Sequence, residues 1–119
     1  MVDLTLTDEQ KDLRELAHEF AKNEIRAAAA EADRTSTLPI EVLRKGWDTG
    51  LMNIHVPEAY GGPGLHAFEG ALVTEELAWG CSGIATSMEA NMLGAAPAAD
   101  PDQLRRPGAS WPVRATYSV

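Results

Sequence analysis

Apolar residues recur with a helical period through most of the chain, and the breaks between periodic stretches are chemically marked. Thr7-Asp8-Glu9-Gln10 reads as a capping box, with the Thr7 hydroxyl bonding the Gln10 amide and the Gln10 side chain reaching back to Thr7. Asp8 and Glu9 suit the positive end of the helix that follows. Leu13, Leu16, Ala17 and Phe20 form its apolar stripe, and the helix is predicted to end near Asp33. Pro39 fits the first turn of a second, short helix, with Leu43, Trp47 and Leu51 one turn apart and Gly50 placed to end it. Residues 52–56 alternate as a short extended piece that Pro57 stops, and Gly61-Gly62-Pro63-Gly64 makes a tight loop. A third helix is predicted over 67–79, broken by Gly80, and a fourth over 82–93, ended by Gly94 and Pro97. Ile84, Met88 and Met92 give the fourth helix a core stripe, while Thr86, Glu89 and Leu93 share a separate, mixed face. Beyond Pro97 no period persists, and Pro101, Pro107, Gly108 and Pro112 forbid a long helix. The expected fold class is therefore all-α, with about four helices.

Composition sets the bounds on this picture. A chain of 119 residues suits one domain, and 45% hydrophobic with 24% charged residues is ordinary for a globular protein. No apolar run approaches membrane-spanning length, and the N-terminus lacks a basic segment followed by an apolar stretch. Neither a membrane span nor a secretory signal is expected. Cys81 is the one cysteine, so no internal disulfide can form and a reducing, cytoplasmic setting is the default. The net charge of −8 disfavours nucleic acid and anionic membranes as partners. That charge is uneven: residues 1–99 sum to −9 and residues 100–119 to +1, so the last twenty differ in kind.

The candidate chemistry is sparse. The glycine cluster lacks the Lys-Ser/Thr pair of a P-loop and the spacing of a dinucleotide fingerprint, and reads as a structural turn. His18, His55 and His66 have no Cys or His neighbours at metal-ligand spacing, so no metal site is expected. Glu75 and Glu76 point about 100° apart on a helix and cannot face each other as a catalytic pair. One should be solvated and the other salt-bridged. Cys81 has no local context that would activate it and reads as a buried structural thiol. Glu89, held between a hydroxyl and a leucine, reads on its own as a solvated rim residue.

A longer pattern changes that last reading. Gly50-Leu51-Met52-Asn53-Ile54-His55-Val56-Pro57-Glu58, then Gly61-Gly62, Gly64-Leu65 and Glu75-Glu76-Leu77-Ala78, strongly resembles the acyl-CoA dehydrogenases. Gly80-Cys81-Ser82-Gly83 and Glu89-Ala90-Asn91-Met92-Leu93-Gly94 resemble the medium-chain branch more narrowly. The resemblance holds without gaps from Thr7 to about Pro97, and it implies the N-terminal all-helical domain over residues 1–97. In that family a β-domain and a C-terminal helical bundle follow, FAD binds between them, and a later Glu removes the α-proton of a fatty acyl-CoA. By resemblance, Thr86, Glu89 and Leu93 match residues lining the deep end of the acyl pocket. Leu13, Leu51, Leu65 and Val73 match a groove where electron transfer flavoprotein docks, with Pro63 where medium-chain relatives usually place a leucine. Tyr117 and Val119 match the start of the flavin-contacting strand, within a divergent tail over 98–119. Family members are homo-oligomers.

The resemblance implies a fragment of a flavin-dependent enzyme, with no catalytic residue of its own and no dehydrogenase activity alone. Its apolar faces, built to meet other domains, should leave it weakly stable or self-associating, with the Glu89 face open to water. The rival is a stand-alone acidic helical module that binds a partner and carries no chemistry.

Overall fold

A computed structural model of the chain describes residues 5–95. The capping box forms as the sequence predicts: Thr7 Oγ1 accepts from the Gln10 amide at 3.2 Å, and Gln10 Oε1 accepts from the Thr7 amide at 3.0 Å. It starts α1 (Asp8–Phe20), which passes through a π-helical turn at Ala21–Ile25 directly into α2 (Arg26–Thr35). The three segments form one continuous rod, as the single long helix of the sequence reading required. After it come α3 (Ile40–Asp48), α4 (Ala67–Gly80) and α5 (Ser82–Ala95). Helices and turns account for all the regular structure among the described residues, so the architecture is all-α.

Local hydrogen bonding explains where the helices stop. At the end of α3 the Leu51 amide bonds the Gly46 carbonyl and the Gly50 amide bonds Trp47, both at 3.0 Å. That pair is a Schellman motif, and Gly50 supplies the left-handed residue it needs at φ +77°. Between α4 and α5 the break falls at Cys81, whose backbone is extended, and not at Gly80. Gly80 serves packing instead, because a Cβ there would lie 2.9 Å from Ile25 Cγ2 and 3.1 Å from Ala21 Cβ. Its bare backbone lets the π-turn press against the end of α4. At the far end, α5 runs through Gly94 to Ala95, so Gly94 does not end it.

Residues 52–56 are not the extended piece their alternation suggested. Asn53 takes a left-handed φ of +56° and the Val56 amide bonds the Asn53 carbonyl, which folds the segment into turns. The Ile54 and Val56 carbonyls then accept from the amides of Leu65 and Gly64, both at 2.8 Å, and so close the glycine loop. Gly62 sits so near the Val56 backbone that a Cβ would be 2.1 Å from its carbonyl oxygen. The glycine cluster is thus a close-packed structural turn.

The core lies where α1, the π-turn, α4 and α5 meet. Ala17, Phe20, Ala21, Ile25, Val73, Leu77, Ile84, Ala85 and Met88 are buried there, with Leu51 and Ile54 added from the loop. Each fully buried Leu or Ile contributes about 1.5–3 kcal/mol through removal from water. On α3 the stripe differs from the expected one. Val42 and Gly46 face the core, Leu43 is half-buried and Trp47 is 60% exposed. Gly46 allows α3 to approach closely, since a Cβ there would meet the end of the Met88 side chain. Among the described residues no helix is long and apolar enough to cross a membrane.

Candidate functional site

α5 places its core stripe as its spacing predicts, with Ile84 and Met88 buried and Met92 half-buried. Ala85 joins them inside. Glu89 follows Met88 by one residue, about 100° around the helix, which leaves it at the edge of the core. Its Oε1 accepts a hydrogen bond of 3.1 Å from Thr74 Oγ1 on α4. The expectation of a water-open Glu89 is therefore corrected: the carboxylate is half-buried and tied across the α4–α5 interface. Thr86 and Leu93 lie further round. Thr86 is exposed, its hydroxyl bonding the Ser82 carbonyl at 2.8 Å, and Leu93 is 82% exposed. The three residues share an open face whose inner edge is a fixed acid.

The partner-docking candidates divide by depth. Leu13 and Leu65 are half-buried against the core, whereas Leu51 and Val73 are enclosed within it. Leu51 is drawn in by the Schellman turn, and Val73 lies on the inner side of α4. Only Leu13 and Leu65 of the four present surface to another molecule. Tyr117 and Val119, the flavin-strand candidates, fall outside the described residues.

Sequence reasoning foresaw that one of Glu75 and Glu76 would be solvated and one paired, but not which, nor with what. Glu75 is exposed. Glu76 is buried and receives Arg14 Nε on Oε1 and His18 Nδ1 on Oε2, each at 2.7 Å. His18 also stacks on Trp79 with ring centroids 4.4 Å apart, and Arg26 lies 4.6 Å over the same indole. The available signal was the i, i+4 spacing of Arg14 and His18, which sets two donors on one face of α1. Cys81 is half-buried, and among the described residues no three potential ligands gather as a metal site would require.

Burial alone would push the Glu76 carboxyl up, but the hydrogen bonds and charges of Arg14 and His18 outweigh it and hold it below its usual 4.5. A depressed acid stabilises the fold above the unfolded value and loses that contribution as pH falls through the folded one. Stability measured by urea melts should therefore drop as pH falls below 4.5, and Glu76→Gln should flatten that drop. Parallel acid limbs in the two proteins would contradict the assignment.

Comparison with known proteins gives this geometry its context. The family described as "Acyl-CoA dehydrogenase, N-terminal domain" matches residues 7–100. A protein of Caenorhabditis briggsae named "Probable medium-chain specific acyl-CoA dehydrogenase 2, mitochondrial" is 33% identical over 96% of this chain and 29% of its own length. A probable acyl-CoA dehydrogenase of Bacillus subtilis is 40% identical over 77% of this chain and 24% of its own. A short-chain specific acyl-CoA dehydrogenase of Clostridium acetobutylicum is 38% identical over 67% of this chain and 21% of its own. The chain thus spans less than a third of the length of these curated relatives.

Proposed function

We propose, for a chain that belongs to the acyl-CoA dehydrogenase family, that its helical domain forms one wall of a fatty acyl-CoA site in a flavin-dependent α,β-dehydrogenation. The main support is the match to the family's N-terminal domain over residues 7–100. Thr86, Glu89 and Leu93 would line the deep end of the acyl tunnel, and no residue of residues 1–97 acts on the reacting carbons. Leu93 offers apolar surface to the chain, and Glu89, braced by Thr74, would mark its end. A methylene driven against that carboxylate would strip water from a charge without replacing its hydrogen bonds, which is unfavourable. The wall therefore acts on chain length.

FAD, bound in a complete family member, would take the hydride, and Tyr117 with Val119 would lie at the start of the strand that contacts it. Electron transfer flavoprotein would dock over Leu13 and Leu65, with Leu51 and Val73 supporting them from beneath. The reading includes homo-oligomers and a cytoplasmic location, the latter supported by the single cysteine. The experiment is a chimera in which residues 1–97 replace the matching segment of a complete relative. It should bind FAD and oxidise medium-chain acyl-CoA, while the 119-residue polypeptide alone gives no turnover, since a base and a bound flavin are both required. A folded chimera without activity, or flavin-dependent turnover by the polypeptide alone, would sink the proposal. The first result would favour the rival module, in which the exposed apolar faces bind a partner protein.

A further inference from the structure

Hydroxyls on helices commonly return to a carbonyl four residues back on their own helix. Thr86 and Ser87 do so, donating to the carbonyls of Ser82 and Gly83 at 2.8 and 3.0 Å. Thr74 instead sends its Oγ1 across from α4 to α5, where it donates to Glu89 Oε1 at 3.1 Å. The donor is firmly placed. Thr74 is half-buried, next to Val73 and about one turn before Leu77, both of which are fully buried. A β-branched side chain on a helix has few χ1 wells, so its hydroxyl keeps its direction. A glutamate has more rotatable bonds, and on an open face it would sample many positions without a partner.

The neutrality of this donor matters as much as its place. Glu76, the other acid enclosed by α4, is held by Arg14 and His18 at 2.7 Å each, and the Arg14 cation offsets its charge. No Lys, Arg or His among the described residues forms an ion pair with Glu89. A hydroxyl fixes the carboxylate through one hydrogen bond and leaves its negative charge whole. A fixed charge of this kind opposes an apolar chain end, because stripping its water is not compensated. A mobile carboxylate could turn aside and stay hydrated, and so would set no definite length.

We propose that Thr74 is the positioning residue of the acyl wall, holding the Glu89 carboxylate at one depth and fully charged. It touches no reacting atom and acts through Glu89. This rests on reading α5 as the deep end of the acyl tunnel, and it adds that the depth is set from α4.

Thr74→Val keeps the shape of the side chain and removes the donor. In the chimera carrying residues 1–97 it should flatten the length profile. The ratio of kcat/KM between the preferred acyl chain and the next longer one should fall about tenfold. The change should lie in KM for the longer chain, with kcat on the preferred chain near its original value. Thr74→Ser, which retains the hydroxyl, should keep the original profile. In a Glu89→Ala background Thr74→Val should add nothing, because the group it positions is gone. A profile that Glu89→Ala shifts and Thr74→Val leaves alone would overturn this proposal and spare the wall. Equal effects of Thr74→Val with and without Glu89, or a loss on every chain length together, would overturn it as well. A profile indifferent to Glu89→Ala would remove the wall reading, and the role of Thr74 with it. The 119-residue chain gives a readout free of catalysis. There Thr74→Val should move the carboxyl carbon resonance of Glu89, and Thr74→Ser should not. A resonance unmoved by Thr74→Val would show that the hydroxyl does not hold the acid, and would overturn the proposal.

Discussion

Replacing Leu77 by alanine is expected to destabilise the chain by about 2–5 kcal/mol. Leu77 is completely buried on α4, in the cluster that joins Ile25 of the π-turn, Val73 of α4 and Met88 of α5. Truncation there removes transfer free energy and leaves a cavity that the surrounding helices fill only in part, because their backbones already meet at close approach. The Gly80 contact with Ile25 and Ala21 is the clearest case of that approach. For a domain of this size each kcal/mol lowers the melting temperature by about 4–8 °C. Leu93→Ala provides the contrast: at 82% exposure it should change stability by about 0.5 kcal/mol or less. Urea melts followed by circular dichroism would measure both. Equal losses from the two leucines would mean that α4 and α5 do not bury the faces described.

What the sequence disclosed, and what it hid, follows from the range of the interactions involved. The capping box at Thr7 and Gln10 and the Schellman end at Gly50 are set by groups within six residues of each other, so their residue types announce them. The all-α class and the position of the helices were legible for the same reason. Trp47 was read inward because it repeats one turn from Leu43, yet α3 turns Val42 and Gly46 to the core. Gly46 lies beside Met88, where a Cβ would crowd the end of that side chain, and a periodicity argument does not weigh a glycine as a core position. Residues 52–56 alternate like a strand, but a single left-handed residue, Asn53, redirects them. The Glu76 pairing joins positions 62 and 58 residues apart, and only the tertiary fold brings Arg14 and His18 to it.

The candidate site was legible to a similar degree. Spacing set Thr86, Glu89 and Leu93 on one face, and the resemblance to a family suggested what that face lines. Spacing did not disclose that Glu89 sits at the edge of the core stripe with Thr74 as its partner, because the hydroxyl comes from another helix. The docking quartet was taken over as a group. Its members separate in depth, since Leu51 and Val73 are core residues whereas Leu13 and Leu65 reach the surface.

The braced carboxylate also makes the second large effect specific. Glu89→Ala removes the acid and opens space at the proposed end of the tunnel, and leaves Thr74 free to bond water. In the chimera carrying residues 1–97 this should raise kcat/KM for longer acyl chains relative to shorter ones. The ratio should shift by about 1–3 kcal/mol per methylene accommodated, or about 10- to 200-fold. Proton abstraction should be little altered, so kcat on the best chain length stays near its original value. A structural role alone would lower activity on every chain length together, and Glu89→Gln, which keeps the size and the acceptor for Thr74 but not the charge, should restore only part of the original length preference. The most direct test of the wall reading is therefore the ratio of kcat/KM values across a series of acyl-CoA lengths, with and without Glu89. A profile displaced toward longer chains is predicted, and a profile of unchanged shape would contradict it.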